Sequence, residues 1–257
     1  MSNVARIHDA KRIVLKVGSS SITGANEANL QLIADFAMRM KVAGKELVVV
    51  SSGAIATAMP LIGLSVKSED LPTSQALASI GQARLMGRYE RALAKHDLIP
   101  GQVLLTVDNL EQPVTAQNAL LAIERLLEIG VVPIINENDT VATSEIRFGD
   151  NDQLAAKVAK LLSADLLILL SDIDSLYTMP PSEPGAQRLS VIPIDFDVDS
   201  IQVSGTSTGY GTGGAVTKLV AARYATAAGI GVLLTVTSNI TQLDTQELNH
   251  TWFEPAV

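Results

Sequence analysis

Seven short polar side chains crowd into seventeen residues of this chain: Asn136, Glu137, Asn138 and Asp139, then Asp150, Asn151 and Asp152. They follow an apolar run, Val131 to Ile135, that reads as a buried strand. In an open α/β sheet the carboxyl ends of strands face the ligand crevice. Carboxylates and amides gathered there suit a small, polar, amine-bearing molecule. A solvated loop with a helix N-cap uses the same residue types, and the second cluster alone fits either reading. The two clusters together favour a site.

Four other segments could carry chemistry. Lys16, Gly18 and Ser19 lie at the end of the first apolar run, where successive N–H groups can form an anion-binding nest and glycine lets a ligand approach the backbone. Ser51, Ser52, Gly53 and Ala54 follow the second run, with small side chains, hydroxyls and amides suited to carboxylate or phosphate. A glycine-rich loop, Gly211, Thr212, Gly213 and Gly214, opens a helix beginning near Thr217. Free N–H groups and the helix dipole suit phosphate at such a place. The loop matches neither the Gly-Lys-Ser/Thr ending of a Walker A sequence nor a Gly-x-Gly-x-x-Gly turn after a first strand. Lys218 falls in that first helical turn, where the dipole disfavours a cation, so its placement makes sense beside a bound anion. Ser171 and Asp172 end the run Leu166 to Leu170 and belong at the same crevice.

What is missing narrows the chemistry further. The three histidines, His8, His96 and His250, are far apart, and no cysteine is present. Thiolate metal sites, disulfides, a histidine zinc site and a serine–histidine–acid triad are therefore not expected. A formal net charge of -8 offers nothing to a nucleic acid backbone. No apolar run approaches the roughly 20 residues of a membrane-spanning helix, so a cytoplasmic protein is expected. Two distant lysines, two glycine-rich anion loops and one acidic-amide cluster fit phosphoryl transfer, which asks for positioning and positive charge rather than covalent participation.

The elements that must hold these residues are written in a recurring arrangement. Leu30 to Val42 shows helical spacing and stops at Gly44 before Leu47 to Ser51; Ala119 to Ile129 stops at Gly130 before Val131 to Ile135. Lys218 to Ala228 stops at Gly229 before Val232 to Val236. Glycine tolerates the left-handed cap, so each marks a helix-to-strand junction. Arg12 to Val17, Val103 to Thr106 and Leu166 to Leu170 read as further strands, and Ser74 to Lys95 as a helix. Small residues in that helix, Ala76 to Ala83, suit packing on the sheet or on a second subunit. The stretch from Met179 to Gly214 reads as irregular. Wholly apolar strands separated by helices imply a mainly parallel sheet covered on both faces. The expected fold is an α/β three-layer α-β-α sandwich in one continuous domain.

These residues carry a resemblance. Lys16 to Ser20, Ser51 to Ala56, Ile80 to Met86, Gln102 to Thr106, Pro133 to Ala142, Gly149 to Asp152, Leu176 to Thr178 and Gly211 to Gly214 resemble the amino acid kinase superfamily, and within it the glutamate kinases. The resemblance implies ATP-dependent phosphorylation of the L-glutamate side-chain carboxylate to γ-glutamyl phosphate, the first step of proline biosynthesis. It implies catalytic roles for Lys16, Lys218 and Asp152, with Asp152 orienting the lysines. Ser52, Asp139 and Asn151 would bind glutamate, Asp139 facing its ammonium. Lys16, Ser171, Asp172, Thr212, Gly213, Gly214, Ala215, Val216, Thr217 and Lys218 would surround the nucleotide, with Mg²⁺ arriving on ATP and no dedicated protein metal site.

The resemblance also implies a homo-oligomer and feedback inhibition by proline. Residues 1–165 would form the amino-acid-binding lobe and 166–257 the nucleotide-binding lobe. No RNA-modification-type domain is expected after the kinase core. Ala215 stands where relatives commonly have Met, Ser171 where they have Thr, and Ser175 where they have Gly. These departures touch the nucleotide side; the glutamate side is intact. Other superfamily activities, on acetylglutamate, carbamate or a nucleoside monophosphate, remain as alternatives. So does a non-catalytic sensor of amino acid and nucleotide, although two converging cations favour turnover.

Overall fold

In the computed structural model, residues 2–65, 70–141, 150–179, 182–196 and 215–256 are described, Asp150 and Ala215 by backbone only. The apolar runs form strands β1 (Arg12–Val17), β2 (Glu46–Ser51), β3 (Pro100–Leu105), β4 (Val132–Glu137), β5 (Leu166–Ser171) and β9 (Gly231–Val236). Short strands β6 (Leu176–Tyr177), β7 (Arg188–Leu189), β8 (Val191–Ile192) and β10 (Thr251–Phe253) complete the set. Eight of them make one sheet in the order β3-β4-β2-β1-β5-β9-β10-β8, with β6 and β7 as a separate antiparallel pair. Within the large sheet the β10–β9 pairing is antiparallel and the others are parallel. The expected mainly parallel α/β sandwich is what forms.

The helices are α1 (Asn3–Asp9), α2 (Asn29–Val42), α3 (Ala54–Ala58), α4 (Leu71–Leu93), α5 (Val107–Glu111), α6 (Pro113–Glu128), α7 (Asp150–Leu161) and α8 (Ala215–Ala227). Side chains alternate across a strand, and the core divides accordingly. Ile13, Leu15 and Val17 of β1, with Leu166, Ile168 and Leu170 of β5, pack with α1, α2 and α4. Val14, with Leu167 and Leu169, packs with α6, α7 and α8 on the opposite face. Lys16 falls by the same alternation on the α7–α8 face. Each fully buried Leu, Ile or Val contributes about 1.5–3 kcal/mol, so the one-residue register that places Lys16 is strongly enforced.

Glycines end the helices as expected: Gly44, Gly130 and Gly229 all have positive φ. Helix α6 starts at Pro113, six residues before the periodicity suggests, and α8 at Ala215 rather than near Thr217. Met179–Gly214, expected to be irregular, contains β7 and β8 among its described residues. No helix is long and apolar enough to cross a membrane, among the residues described.

The small-residue face of α4 resolves to a third partner, helix α3. A Cβ built at Gly81 would lie 1.8 Å from the backbone oxygen of Ala54 and 2.6 Å from its carbonyl carbon. Only glycine permits that approach, and it fixes how far α4 reaches over the β2-to-α3 turn. Gly81→Ala should therefore lower unfolding stability by about 2–3 kcal/mol, read from the denaturant midpoint.

Candidate functional site

Strand β1 has β2 on one side and β5 on the other, and from it the strand order runs outward in both directions. That is the switch point of an open sheet, where ligands bind outside the carboxyl ends of the strands. Lys16 is the last residue but one of β1, Ser51 ends β2, Glu137 ends β4 and Ser171 ends β5. The residues picked from the sequence thus arrive at one rim.

The rim is pinned by polar contacts. The Ser52 amide donates to the Val17 carbonyl oxygen at 2.9 Å, binding the β2 turn to β1. Buried Tyr89 of α4 donates its hydroxyl to Ser51 Oγ at 2.8 Å. Burial raises the Tyr89 pKa, and the bond to Ser51 opposes the rise only in part. Gly53 caps α3 with φ 116°, a conformation that glycine accepts without strain. Across the rim, Ser21 and Thr237 hydroxyls lie 2.7 Å apart, and Thr237 donates to the Ser171 carbonyl oxygen at 3.3 Å.

At the centre sits Asp152, in the first turn of α7 and 1% exposed. Lys16 Nζ lies 2.6 Å from its Oδ1 and Lys218 Nζ 3.4 Å from its Oδ2. Thr217 donates its hydroxyl to the same Oδ2 at 2.9 Å. Residues 16 and 218, from β1 and from the first turn of α8, thus meet on one carboxylate. Burial disfavours the Asp152 anion, yet the Lys16 and Lys218 charges outweigh it and hold the carboxyl below its ordinary range. The Lys218 pKa is lowered, first by burial and then by the Lys16 charge, while Asp152 and Asp172 oppose the change. Two like charges are therefore held close together beside a helix N-terminus, an arrangement that a bound polyanion relieves. Gly18 brings its backbone to the same place: a Cβ there would be 3.8 Å from Lys16 Nζ.

Asn151, next to Asp152, faces the other way, toward β4. Its Oδ1 accepts from the Glu137 amide at 3.3 Å, and its Nδ2 donates to Asn136 Oδ1 at 3.1 Å. The first turn of α7 thus serves two neighbouring places, cations on one side and amides on the other. Beside the amides lies a cleft of about 280 Å³ between α3, α4, β3 and the end of β4. Ala54, Ala78 and Ala83 supply small apolar surface to it, and Glu137 and Asp139 supply carboxylates. Ser79 and Thr140, 3.1 Å apart through their hydroxyls, close one edge. Ser52 is half-buried at the head of α3, which lines the cleft.

At the end of β5 Ser171 is buried and Asp172 exposed, with the Ser171 hydroxyl donating to Asp172 Oδ1 at 3.1 Å. Ser175, where relatives commonly have glycine, is fully buried and donates to the Asp174 carbonyl oxygen at 2.8 Å. Val216 is exposed at the start of α8. Thr212, Gly213 and Gly214 lie outside the described residues, as does the side chain of Ala215. Among the described residues no group of three or more His, Cys, Asp or Glu could hold a metal ion.

The sequence places Asn136 in the polar cluster but gives it no individual role, and it gives Gln82 and Gln102 none. Asn136 carries a signal, an amide that directly follows the apolar residues of β4. The glutamines carry none, since their relation to Asn136 exists only in three dimensions.

Residues 11–235 match the amino acid kinase family. Glutamate 5-kinase of Clavibacter michiganensis subsp. michiganensis is 51% identical, across 98% of this chain and 97% of its own length. The glutamate 5-kinase of Leifsonia xyli subsp. xyli is 48% identical, across 98% and 93%. Carbamate kinase from Giardia lamblia, solved bound to AMP-PNP, superposes with a TM-score of 0.67 over 97% of this chain and all of its own, at 15% identity, and so shares the fold. With a parallel sheet that opens at β1 and a family match spanning both halves of it, the chain belongs to the amino acid kinase family and, within it, to the glutamate 5-kinases.

Proposed function

We propose that this protein transfers the γ-phosphoryl group of ATP to the side-chain carboxylate of L-glutamate, giving γ-glutamyl phosphate and ADP for proline biosynthesis in the cytoplasm. The observation that carries the reading is the Lys16–Asp152–Lys218 bridge at the switch point, beside an acid- and amide-lined cleft. One carboxylate oxygen of glutamate bonds to the γ-phosphorus while the bond from that phosphorus to ADP breaks, the electron pair leaving with ADP. A side-chain carboxyl near its ordinary pKa of about 4 is already ionised at neutral pH. No base is needed to activate it, which suits a site built of cations. Lys16 and Lys218 neutralise charge on the transferring group, and Asp152 keeps both ammonium groups aimed.

In the cleft, Asp139 takes the substrate ammonium and the alanines pack its methylenes, while Asn151 and Ser52, just outside the lining, take its α-carboxylate. Ser171, Asp172 and the segment 212–218 hold the nucleotide. Mg²⁺ would arrive with ATP, and exposed Asp172, whose charge acts on Lys218, is the described carboxylate that would face it. The ion's contribution is to neutralise phosphate charge. All the lining residues of the cleft come from 54–140, which supports an amino-acid half within 1–165 and a nucleotide half within 166–257. Proline shares the ammonium and α-carboxylate that this cleft would recognise, which supports competition between the two. Homo-oligomer formation belongs to the same reading.

The test supplies Mg²⁺–ATP with glutamate, acetylglutamate or carbamate and traps acyl phosphate with hydroxylamine. Hydroxamate should form with glutamate. Product from another acceptor and none from glutamate contradicts the proposal. Asp139→Ala should raise the Michaelis constant for glutamate about tenfold to a hundredfold, the loss of one hydrogen bond between charged groups, with kcat changed far less. An unchanged Michaelis constant removes Asp139 from its role.

A further inference from the structure

Four side-chain amides run in a line from the surface to the proposed glutamate ligand. Gln82 of α4 donates from Nε2 to Gln102 Oε1 at 3.4 Å on the exposed side of the cleft. Asn136 donates from Nδ2 to Gln82 Oε1 at 2.8 Å. Asn136 Oδ1 in turn accepts from the Glu137 amide at 2.9 Å and from Asn151 Nδ2 at 3.1 Å. Asn151 Oδ1 accepts from the Glu137 amide. Each amide thus has its oxygen and nitrogen ends assigned by its neighbours.

An asparagine amide can turn by half a revolution with little change of shape, so only its partners decide which end points where. Asn136 is 1% exposed. Its Oδ1 is fixed from one side by a backbone amide and by Asn151. Its Nδ2 is fixed from the other by Gln82, which lies 54 residues away on a different element. We infer that Gln82 is a positioning residue for the acceptor site: by accepting from Asn136 it fixes the Asn136 carbonyl toward Asn151, and so fixes Asn151 with an N–H directed at the substrate. This inference rests on the glutamate reading of the cleft. It adds that the fidelity of that cleft is set from α4, whose close approach Gly81 makes possible.

Without the Gln82 oxygen, a buried N–H of Asn136 loses its acceptor, and the amide gains by turning toward other oxygens. Turning would present a donor to Asn151 where an acceptor stood. Gln82→Leu keeps the size and removes the acceptor. It should raise the glutamate Michaelis constant about tenfold, with kcat and the ATP Michaelis constant changed less than about twofold.

A cycle with Asn151→Ala distinguishes positioning from general disturbance, because residues acting through one another are not additive. In the Asn151→Ala background, Gln82→Leu should change the glutamate Michaelis constant by less than about twofold. An equal cost in both backgrounds, or no cost in the native one while Asn151→Ala raises the constant, overturns the positioning role and leaves the acceptor site standing. If Asn151→Ala itself leaves the constant unchanged, the reading of the acceptor site falls, and the role of Gln82 with it. Should Gln82→Leu not fold, Gln82→Ala carries the same cycle with the same outcomes.

Discussion

Lys218→Ala is expected to lower kcat by about 10²–10³-fold, the cost of removing one preorganised group that stabilises transition-state charge. Glutamate affinity, measured by calorimetry without nucleotide, should stay within about twofold, because the cleft proposed for the amino acid is lined by other elements. The reasoning is geometric. Lys218 is 6% exposed, sits in the first turn of α8 and meets one carboxylate oxygen of Asp152 while Lys16 meets the other. A lysine there opposes both the helix dipole and a neighbouring ammonium, and binding glutamate recruits neither. A full kcat in Lys218→Ala would remove the residue from the chemistry.

The second large effect is expected from Asp152→Asn, and it acts on stability as well as on rate. Asparagine keeps the shape and loses the charge, leaving two buried ammonium groups facing a neutral amide. Breaking a buried ion pair from one side costs about 3–5 kcal/mol, so the unfolding midpoint should fall markedly at neutral pH. The pH dependence has a definite sign. Asp152 has its pKa lowered on folding, so its contribution is complete above the unfolded carboxylate value of about 4 and disappears as pH falls through the lower folded value. The difference in stability between the native protein and Asp152→Asn should accordingly be full at pH 7 and shrink below about pH 4. The rate should fall with it, since neither lysine keeps its aim. A difference that persists undiminished at acid pH would show that ionisation of Asp152 is not what stabilises the site.

Much of this architecture is written in the chain order of residues. The helix–glycine–strand junctions at Gly44, Gly130 and Gly229 can be read because the left-handed cap is a local demand on one residue. Strand β1 is readable to its ends, since its apolar run stops where the glycine and serines begin. Lys16 and Lys218 are legible from the glycine-rich turns beside them and Asp152 from its polar cluster, but the part of Asp152 as their shared carboxylate is implied only by the resemblance, since their meeting is a tertiary fact that no spacing encodes.

The short elements escape for a related reason. Helix α1 is held by its surroundings: Asn3 donates to the Leu243 and Gln246 carbonyl oxygens and accepts from the Leu248 amide. Helix α3 is five residues long and exists by packing on Gly81. Helices this short are unstable alone, so local sequence cannot announce them. Strands β8 and β10 have two and three residues, too few to show a period. The line of amides through Gln82 and Asn136 is hidden most completely, because its members belong to four separate elements.

The most direct measurement is a crystal structure with Mg²⁺–ADP, glutamate and aluminium fluoride as a mimic of the transferring phosphoryl group. Nζ of Lys16 and Nζ of Lys218 should each lie about 3 Å from fluoride or bridging oxygen on that one mimic, with Asp152 still between them and the glutamate ammonium at Asp139. A mimic that only one lysine can reach, or a glutamate bound elsewhere than the cleft beside Asn151, would contradict the account.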